Sequence, residues 1–279
     1  MNAGRLLADG GRTLVRHPLR TTLSMLGALV GAAALTLVIA VGRGVEAKVL
    51  RTVRQLFGPS SLLVMSGNGL IAGGPRAPGD RLTLEDLQAV AAALPQIAVW
   101  DPVQVLDPAP VRHGEASATA RVVGSSERWE RAWGRSVVRG EGFGASDVAR
   151  GARVALVGET IARKLFGGAD PVGEELLVNG VPLRVTGVLE PFGTDAHGMD
   201  RDAEVVIPIS TLMRRLLNVD TLRGAKLVVA DAGAEEAGSA GRRGEATAEQ
   251  SVEATAAEVR RILRERHGLP ADRADDFKI

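Results

Sequence analysis

Cysteine and tyrosine are both absent from this 279-residue chain, and aromatic residues make up only 3% of it. Without cysteine there is no disulfide, no thiolate nucleophile and no cysteine-ligated zinc. So few aromatics exclude a base-stacking platform or an aromatic ligand cage. Charge of either sign is not in excess: 34 Lys and Arg stand against 33 Asp and Glu, for a net charge of +1. That balance excludes a strongly basic nucleic-acid binder and an acidic-tail protein. No G-x-x-x-x-G-K-[ST] occurs, so the chain is not itself a P-loop ATPase, and neither a G-x-S-x-G elbow nor an H-E-x-x-H helix is present. The glycine-rich stretch from Gly67 to Gly74 lacks dinucleotide-binding spacing and reads as a loop.

What is present is enough apolar material for a core: 45% of the residues are hydrophobic, and Ala, Val, Leu and Gly must fill it. The length suits one large domain or two small ones. The strongest local signal is the uncharged run from Thr21 to Gly42, bounded by Arg20 and Arg43. Roughly 20 apolar residues at about 1.5 Å each cross a hydrocarbon core of about 30 Å, so the run reads as a transmembrane helix. A cleaved signal peptide and a buried soluble helix are the competing readings. The run is longer than a signal peptide's apolar core, and Arg43, Glu46 and Lys48 follow it where a cleavage site would be. Basic residues flank both ends, which weakens the positive-inside argument. The short arm before the span and the large polar remainder favour a cytoplasmic N-terminus and an extracytoplasmic bulk. Gly27, Gly31 and Ala32 to Ala34 suit either close helix packing in lipid or plain alanine-rich filler. Val45, Val49, Val53 and Phe57 then recur every four residues, predicting a helical stalk that Gly58-Pro59 ends.

Beyond the stalk the pattern is α+β, with strands and helices mixed and no regular βα repeat. Strands are expected at 61–65, 97–105, 110–113, 118–123, 153–157, 203–208 and 225–230. Helices are expected at 83–94, N-capped by Thr83, at 160–166, at 210–217 and at 252–267. Glu175 to Leu189 predicts a hairpin turning at Asn179-Gly180 through a type I′ turn. Residues 231–250, rich in Ala, Gly, Glu and Arg, read as a disordered insertion.

No residue is assigned as catalytic, cofactor-binding or metal-binding. The most reactive-looking cluster is Asp195, His197, Asp200 and Asp202, which could in principle hold a divalent metal or do acid–base work. Nothing in its spacing fixes it, and Gly198 in its middle favours a solvated loop. His113, His197 and His267 form no ligand-spaced repeat, and His17 precedes the span. Trp129 and Trp133, one turn apart, read as packing residues. Glu159, beside Gly158, suits the positive start of a helix rather than catalysis.

One set of blocks carries a resemblance across nearly the whole chain. His17-Pro-Leu-Arg-Thr-Thr-Leu-Ser-Met-Leu-Gly27 comes first. Val154-Ala-Leu-Val-Gly158, Leu165-Phe-Gly167, Asp170-Pro-Val-Gly173, Val185-Thr-Gly-Val-Leu189, Val206-Ile-Pro-Ile209 and Asp275-Asp-Phe277 follow in order. Together they resemble the MacB/FtsX-type ABC transporter permeases, in their N-terminal span and extracytoplasmic core domain. The resemblance implies a cytoplasmic arm (1–20), a transmembrane helix (21–42), a stalk (43–57) and a MacB-like periplasmic core domain (58–279). Within that domain it implies an α/β porter-like subdomain, about 58–125 and 220–279, and an inserted β-rich subdomain, about 134–206. It implies a non-catalytic, single-pass permease component of the inner membrane that relays ATPase-driven motion outward for efflux or for substrate or lipoprotein export. The implied partners are a cytoplasmic ABC ATPase, a second permease polypeptide supplying further spans, a periplasmic adaptor, membrane lipid and a second copy in a dimer; no cofactor and no nucleic acid are implied. Family members continue into three more spans where this sequence stops. A fragment, a split permease and a remnant are therefore all expected readings, and a single-span binding or sensor module without an ATPase is the alternative.

Overall fold

The computed structural model describes residues 26, 29, 31–32, 60–67, 81–194, 199–230 and 241–279, with backbone alone for 241–249. Leu26, Leu29, Gly31 and Ala32 are helical. The rest of the expected span, the arm 1–20, the stalk 43–57, most of the loop that starts at Gly67 and residues 231–240 lie outside the described residues. Among the described residues no helix is long and apolar enough to cross a membrane. The chain divides into two units, Met1–Val53 and Arg54–Ile279, and among the described residues the strands belong to the second.

The second unit begins with β1 (Ser61–Ser66), in which Leu62 and Val64 point inward and alternate with half-buried residues, as a strand with one covered face requires. α1 (Leu84–Ala93) follows. Thr83 caps it and forms a reciprocal capping box with Asp86. β2 (Ile97–His113) is 17 residues long and is shared by two sheets. Its first half pairs with β9 (Gly224–Val229), which pairs in turn with β1, and β1 carries β10 (Phe277–Lys278) on its other edge. α1 and α6 (Gly241–Arg266) cover this sheet, and Leu87, Val90, Val259 and Leu263 from the two helices meet Val64, Leu227 and Phe277 in its core.

From Gln104 onward β2 pairs with β3 (Ala116–Ser125) and enters a second structure. β3 runs parallel to β8 (Glu204–Pro208), β8 antiparallel to β5 (Val154–Val157), and β5 parallel to β7 (Val181–Leu189). β7 pairs with β6 (Glu175–Val178), and β6 returns to β2 through Val111↔Val178 and Arg112↔Leu177. The ring of pairings is closed, so these strands form a small barrel. Val111, Val122, Val157, Leu176, Leu183, Val185 and Ile207 share its buried core, as a barrel of this size demands. α4 (Glu159–Phe166) adds Ile161, Leu165 and Phe166 to that core. A short β4 (Val137–Gly140) extends the β7 edge beyond β6. α2 (Trp129–Trp133), α3 (Ala145–Arg150) and α5 (Ile209–Thr211), which runs on as a π-helical turn Leu212–Leu217, fill the connections.

The β6–β7 hairpin turns as the sequence predicts, with both central residues left-handed: Asn179 at φ 47° and Gly180 at φ 82°. Two boundaries differ from expectation. The β-rich part is not confined to 134–206, because β2 from Gln104 and all of β3 belong to the barrel. One strand long enough to serve two sheets has no sequence signal at the point where it changes partners. α6 starts at Gly241, within the stretch read as disordered up to residue 250. Ala246, Ala248, Glu249 and Gln250 are good helix formers, and extending a helix already held by Val259 and Leu263 needs no new nucleus.

Candidate functional site

The loop that carries the acidic and histidine cluster is held at its base. Asp202 lies at the end of this loop and is largely buried. Its Oδ1 accepts hydrogen bonds from the Phe192 amide and from Arg135 Nη2, at 2.8 and 2.9 Å, and its Oδ2 accepts one from the Gly193 amide at 2.8 Å. Asp200 Oδ1 accepts from the Asp202 amide at 2.9 Å, so these two carboxylates brace backbone rather than converge on a common point. Glu204, two residues on, faces Arg201 Nη1 at 3.2 Å, Arg135 Nη1 at 3.5 Å and Arg121 Nε at 3.6 Å. Burial lowers the Arg135 pKa from its ordinary value, against the opposing pull of Glu204 and Asp202. Asp195 and His197 lie outside the described residues. Among the described residues no three His, Asp or Glu side chains are grouped to hold a metal ion.

Glu159 sits in the first turn of α4 with Arg139 Nη2 3.7 Å away, a partly exposed pair at a helix start. His113 and His267 lie in different parts of the unit. His113 Nδ1 is 2.8 Å from the Glu175 carbonyl oxygen, and its ring rests on Phe166. His267 lies between Asp86 and Asp276.

A second buried polar group sits where the first sheet meets the barrel, and sequence reasoning did not single it out. Asp101 on β2 is fully buried and stands directly across from Lys226 on β9, itself only 2% exposed. The Asp101 carboxylate accepts from Ser125 Oγ at the end of β3, from the Ser126 amide at 2.8 Å and Ser126 Oγ at 2.6 Å, and from Trp133 Nε1 at 2.8 Å. Lys226 Nζ stacks over the Trp133 ring, 4.9 Å from its centroid, and Arg128 covers the neighbouring Trp100 ring at 4.1 Å. Burial raises the Asp101 pKa, against these donors. Burial likewise lowers Lys226 to about 8, with Asp101 pulling the other way. Trp129 packs as expected, 3% exposed and against Phe143. Trp133 does more than pack, because its indole N–H ties α2 to β2.

This junction joins β2, β3, β9 and α2 through one carboxylate sealed from water. A carboxylate so enclosed positions the strand and helix residues that donate to it. Its only sequence signal was a charged residue amid a strand pattern, at Asp101 and again at Lys226; the register that sets them face to face is tertiary.

The MacB-like periplasmic core domain family matches residues 21–262. A macrolide export ATP-binding/permease protein MacB from Azoarcus sp. is 30% identical over 98% of this chain, which spans 38% of that protein. A pyoverdine export ATP-binding/permease protein PvdT from Pseudomonas entomophila is 31% identical over 89% of this chain, which spans 34% of that protein. The chain thus spans little more than a third of these relatives' length. Among solved structures, the periplasmic region of MacB from Actinobacillus actinomycetemcomitans has the same fold, with a TM-score of 0.61 at 19% identity over 83% of this chain and 92% of that one.

Proposed function

Because this chain belongs to the MacB-like periplasmic core domain family, we propose that it is a membrane-anchored, non-catalytic component of a MacB-type ABC transporter. In this reading 1–20 is a cytoplasmic arm, 21–42 spans the inner membrane, 43–57 is a helical stalk and the second unit is extracytoplasmic. The ATP is hydrolysed by an ABC ATPase in the cytoplasm, and a periplasmic adaptor receives the motion. Relatives named for macrolide and pyoverdine export support export as the class of process.

The observation that carries the reading is the pairing of the unit's first and last strands. β1 and β10 are antiparallel, with Met65 opposite Lys278 and Ser66 opposite Phe277. The last strand therefore lies beside the first and runs back toward the end of the sheet at which β1 begins. A domain whose first and last strands lie side by side suits insertion between membrane helices, and movement of one helix would be felt in both strands. Helix packing has discrete alternatives, so a shift in the membrane can be passed on through a stiff stalk rather than absorbed.

The test is purification of the tagged full chain from mildly solubilised membranes, with identification of what accompanies it. An ABC ATPase is expected. Its absence would overturn the transporter reading and leave a membrane-anchored extracytoplasmic binding or sensor module. In the complex, Val49→Pro should break the stalk helix and abolish export while the ATPase stays bound.

A further inference from the structure

Met199 stands where an oxidation would be felt by the structure around it. It lies in the loop between β7 and β8, is 40% exposed, and directly precedes Asp200, which bridges to Thr194 across the loop. Its Sδ accepts a hydrogen bond from Arg121 Nη1 on β3 at 3.6 Å. This contact ties the loop to a barrel strand. Around it, the backbone bonds close the loop on itself: the Arg201 amide donates to the Gly193 carbonyl at 2.9 Å, and the Ala203 amide to the Asp200 carbonyl at 3.2 Å.

Arg121 belongs to a cluster rich in donors. Its guanidinium and those of Arg135 and Arg201 gather on the Asp202 and Glu204 carboxylates, three cations to two anions among the described residues. A guanidinium presents five N–H donors and no acceptor, while a thioether sulfur accepts only weakly. One donor of the cluster is therefore matched to a poor acceptor. A sulfoxide replaces the apolar thioether with a polar group, and its oxygen bears the negative end of the S–O dipole. Facing a guanidinium, that oxygen makes the stronger, charge-assisted kind of hydrogen bond.

We propose that Met199 is an oxidation site whose sulfoxide tightens the 190–203 loop onto β3. The oxidant is a peroxide, which reaches the side chain from solvent. A sulfur lone pair attacks one peroxide oxygen, and the S–O bond forms as the O–O bond breaks. With hydrogen peroxide, the proton on the transferred oxygen passes to the departing hydroxide, which leaves as water. Sulfur is oxidised by two electrons and the peroxide is reduced by two. The new oxygen then replaces sulfur as the acceptor for Arg121. Methionine oxidation disrupts an apolar core; beside a guanidinium at the surface the sign is reversed. This inference concerns the second unit alone and does not rest on the transporter reading.

The test treats the full chain in detergent with hydrogen peroxide and follows each methionine by peptide mass spectrometry. Met199 should oxidise before the half-buried Met65 and Met213. Amide hydrogen exchange over 200–203 should then slow by about tenfold, the gain expected when a weak acceptor gives way to a charge-assisted bond. The two methionine sulfoxide reductases together, one for each epimer, should restore the original rate. Met199→Gln, which supplies an amide oxygen without oxidant, should show slowed exchange before any peroxide is added. Oxidation of Met65 or Met213 ahead of Met199 overturns the site. Exchange over 200–203 that stays the same or quickens on oxidation overturns the tightening, as does a slowing that persists in Met199→Leu or in Arg121→Gln. The wild-type and Met199→Leu readings decide the matter even where Arg121→Gln does not fold.

Discussion

Asp101 and Lys226 show what a buried pair costs and what it fixes. Taking either charge out of water is unfavourable, and the carboxylate is made tolerable by the donors of Ser125, Ser126 and Trp133 as well as by the lysine across the strand pair. The linkage follows from the direction of each shift. Lys226 loses its proton at about 8 in the folded chain and near the ordinary 10.5 in the unfolded one. Between those values the unfolded chain holds the extra proton, so stability rises with pH, by up to about 1.4 kcal/mol per pH unit. Asp101 has the opposite sign. Its folded pKa is raised above 3.8, so the stability it contributes is full below 3.8 and is lost as pH rises through its folded pKa. Urea unfolding of the full chain at pH 8, 9 and 10 should show the alkaline rise, and Lys226→Met should flatten it. A rise of equal slope in the variant would assign it to other groups. Neither residue was legible in the sequence, because a charge in a strand pattern reads as a solvated face until the register puts it opposite its partner. Trp133 was legible as a buried aromatic, and only its N–H role was missed.

At the scale of single elements, local chemistry was the most readable. The Thr83 cap, the Asn179-Gly180 turn and the strand at 61–65 all follow from residue type, and all are found, the cap as a reciprocal capping box with Asp86. Closure of the barrel was not readable, since it depends on two residue pairs between β2 and β6 that are distant in sequence. The step from β5 into α4 shows how tightly that closure constrains a single position. A Cβ on Gly158 would lie 2.3 Å from the Asp202 carbonyl oxygen, while the Gly158 amide donates to the Glu204 carbonyl at 2.8 Å. Backbone stands on both sides, so neither can give way cheaply. Gly158→Ala should therefore destabilise the unit by about 1–3 kcal/mol, read as a lower urea midpoint with unchanged slope. Because Asp202 also anchors the Phe192 and Gly193 amides, the loop at 190–203 should become more exposed to protease in the same variant. A normal midpoint would mean that the β5–β8 register shifts freely, against the closed ring.

Over the molecule as a whole, the order of the strands matters more than any one side chain. The first sheet takes its strands from the start, middle and end of the unit, so it cannot form until the barrel between β2 and β9 has been made or set aside. That long-range closure is why the sequence blocks predicted the family but not the point at which β2 passes from one sheet to the other. The pairing of β1 with β10 is the contact that sets the last strand beside the first, and it can be locked at surface positions. Met65 is half-buried, Lys278 is exposed, and the two face each other across an antiparallel pair. Directly opposed residues there have Cα atoms about 4.5–5.5 Å apart, within the range a disulfide spans. The chain has 0 cysteines, so Met65→Cys with Lys278→Cys introduces a single bond with no competitor. Oxidation should close it in the folded chain, read as loss of maleimide labelling that reductant restores. The locked unit should keep its urea midpoint or gain stability, because the bond restrains the unfolded chain. If relative movement of the two ends carries the transport stroke, the same bond should stop export reversibly in the assembled complex while ATP binding persists. Full export with the bond closed would show that the proposed stroke does not depend on relative movement of these two strands.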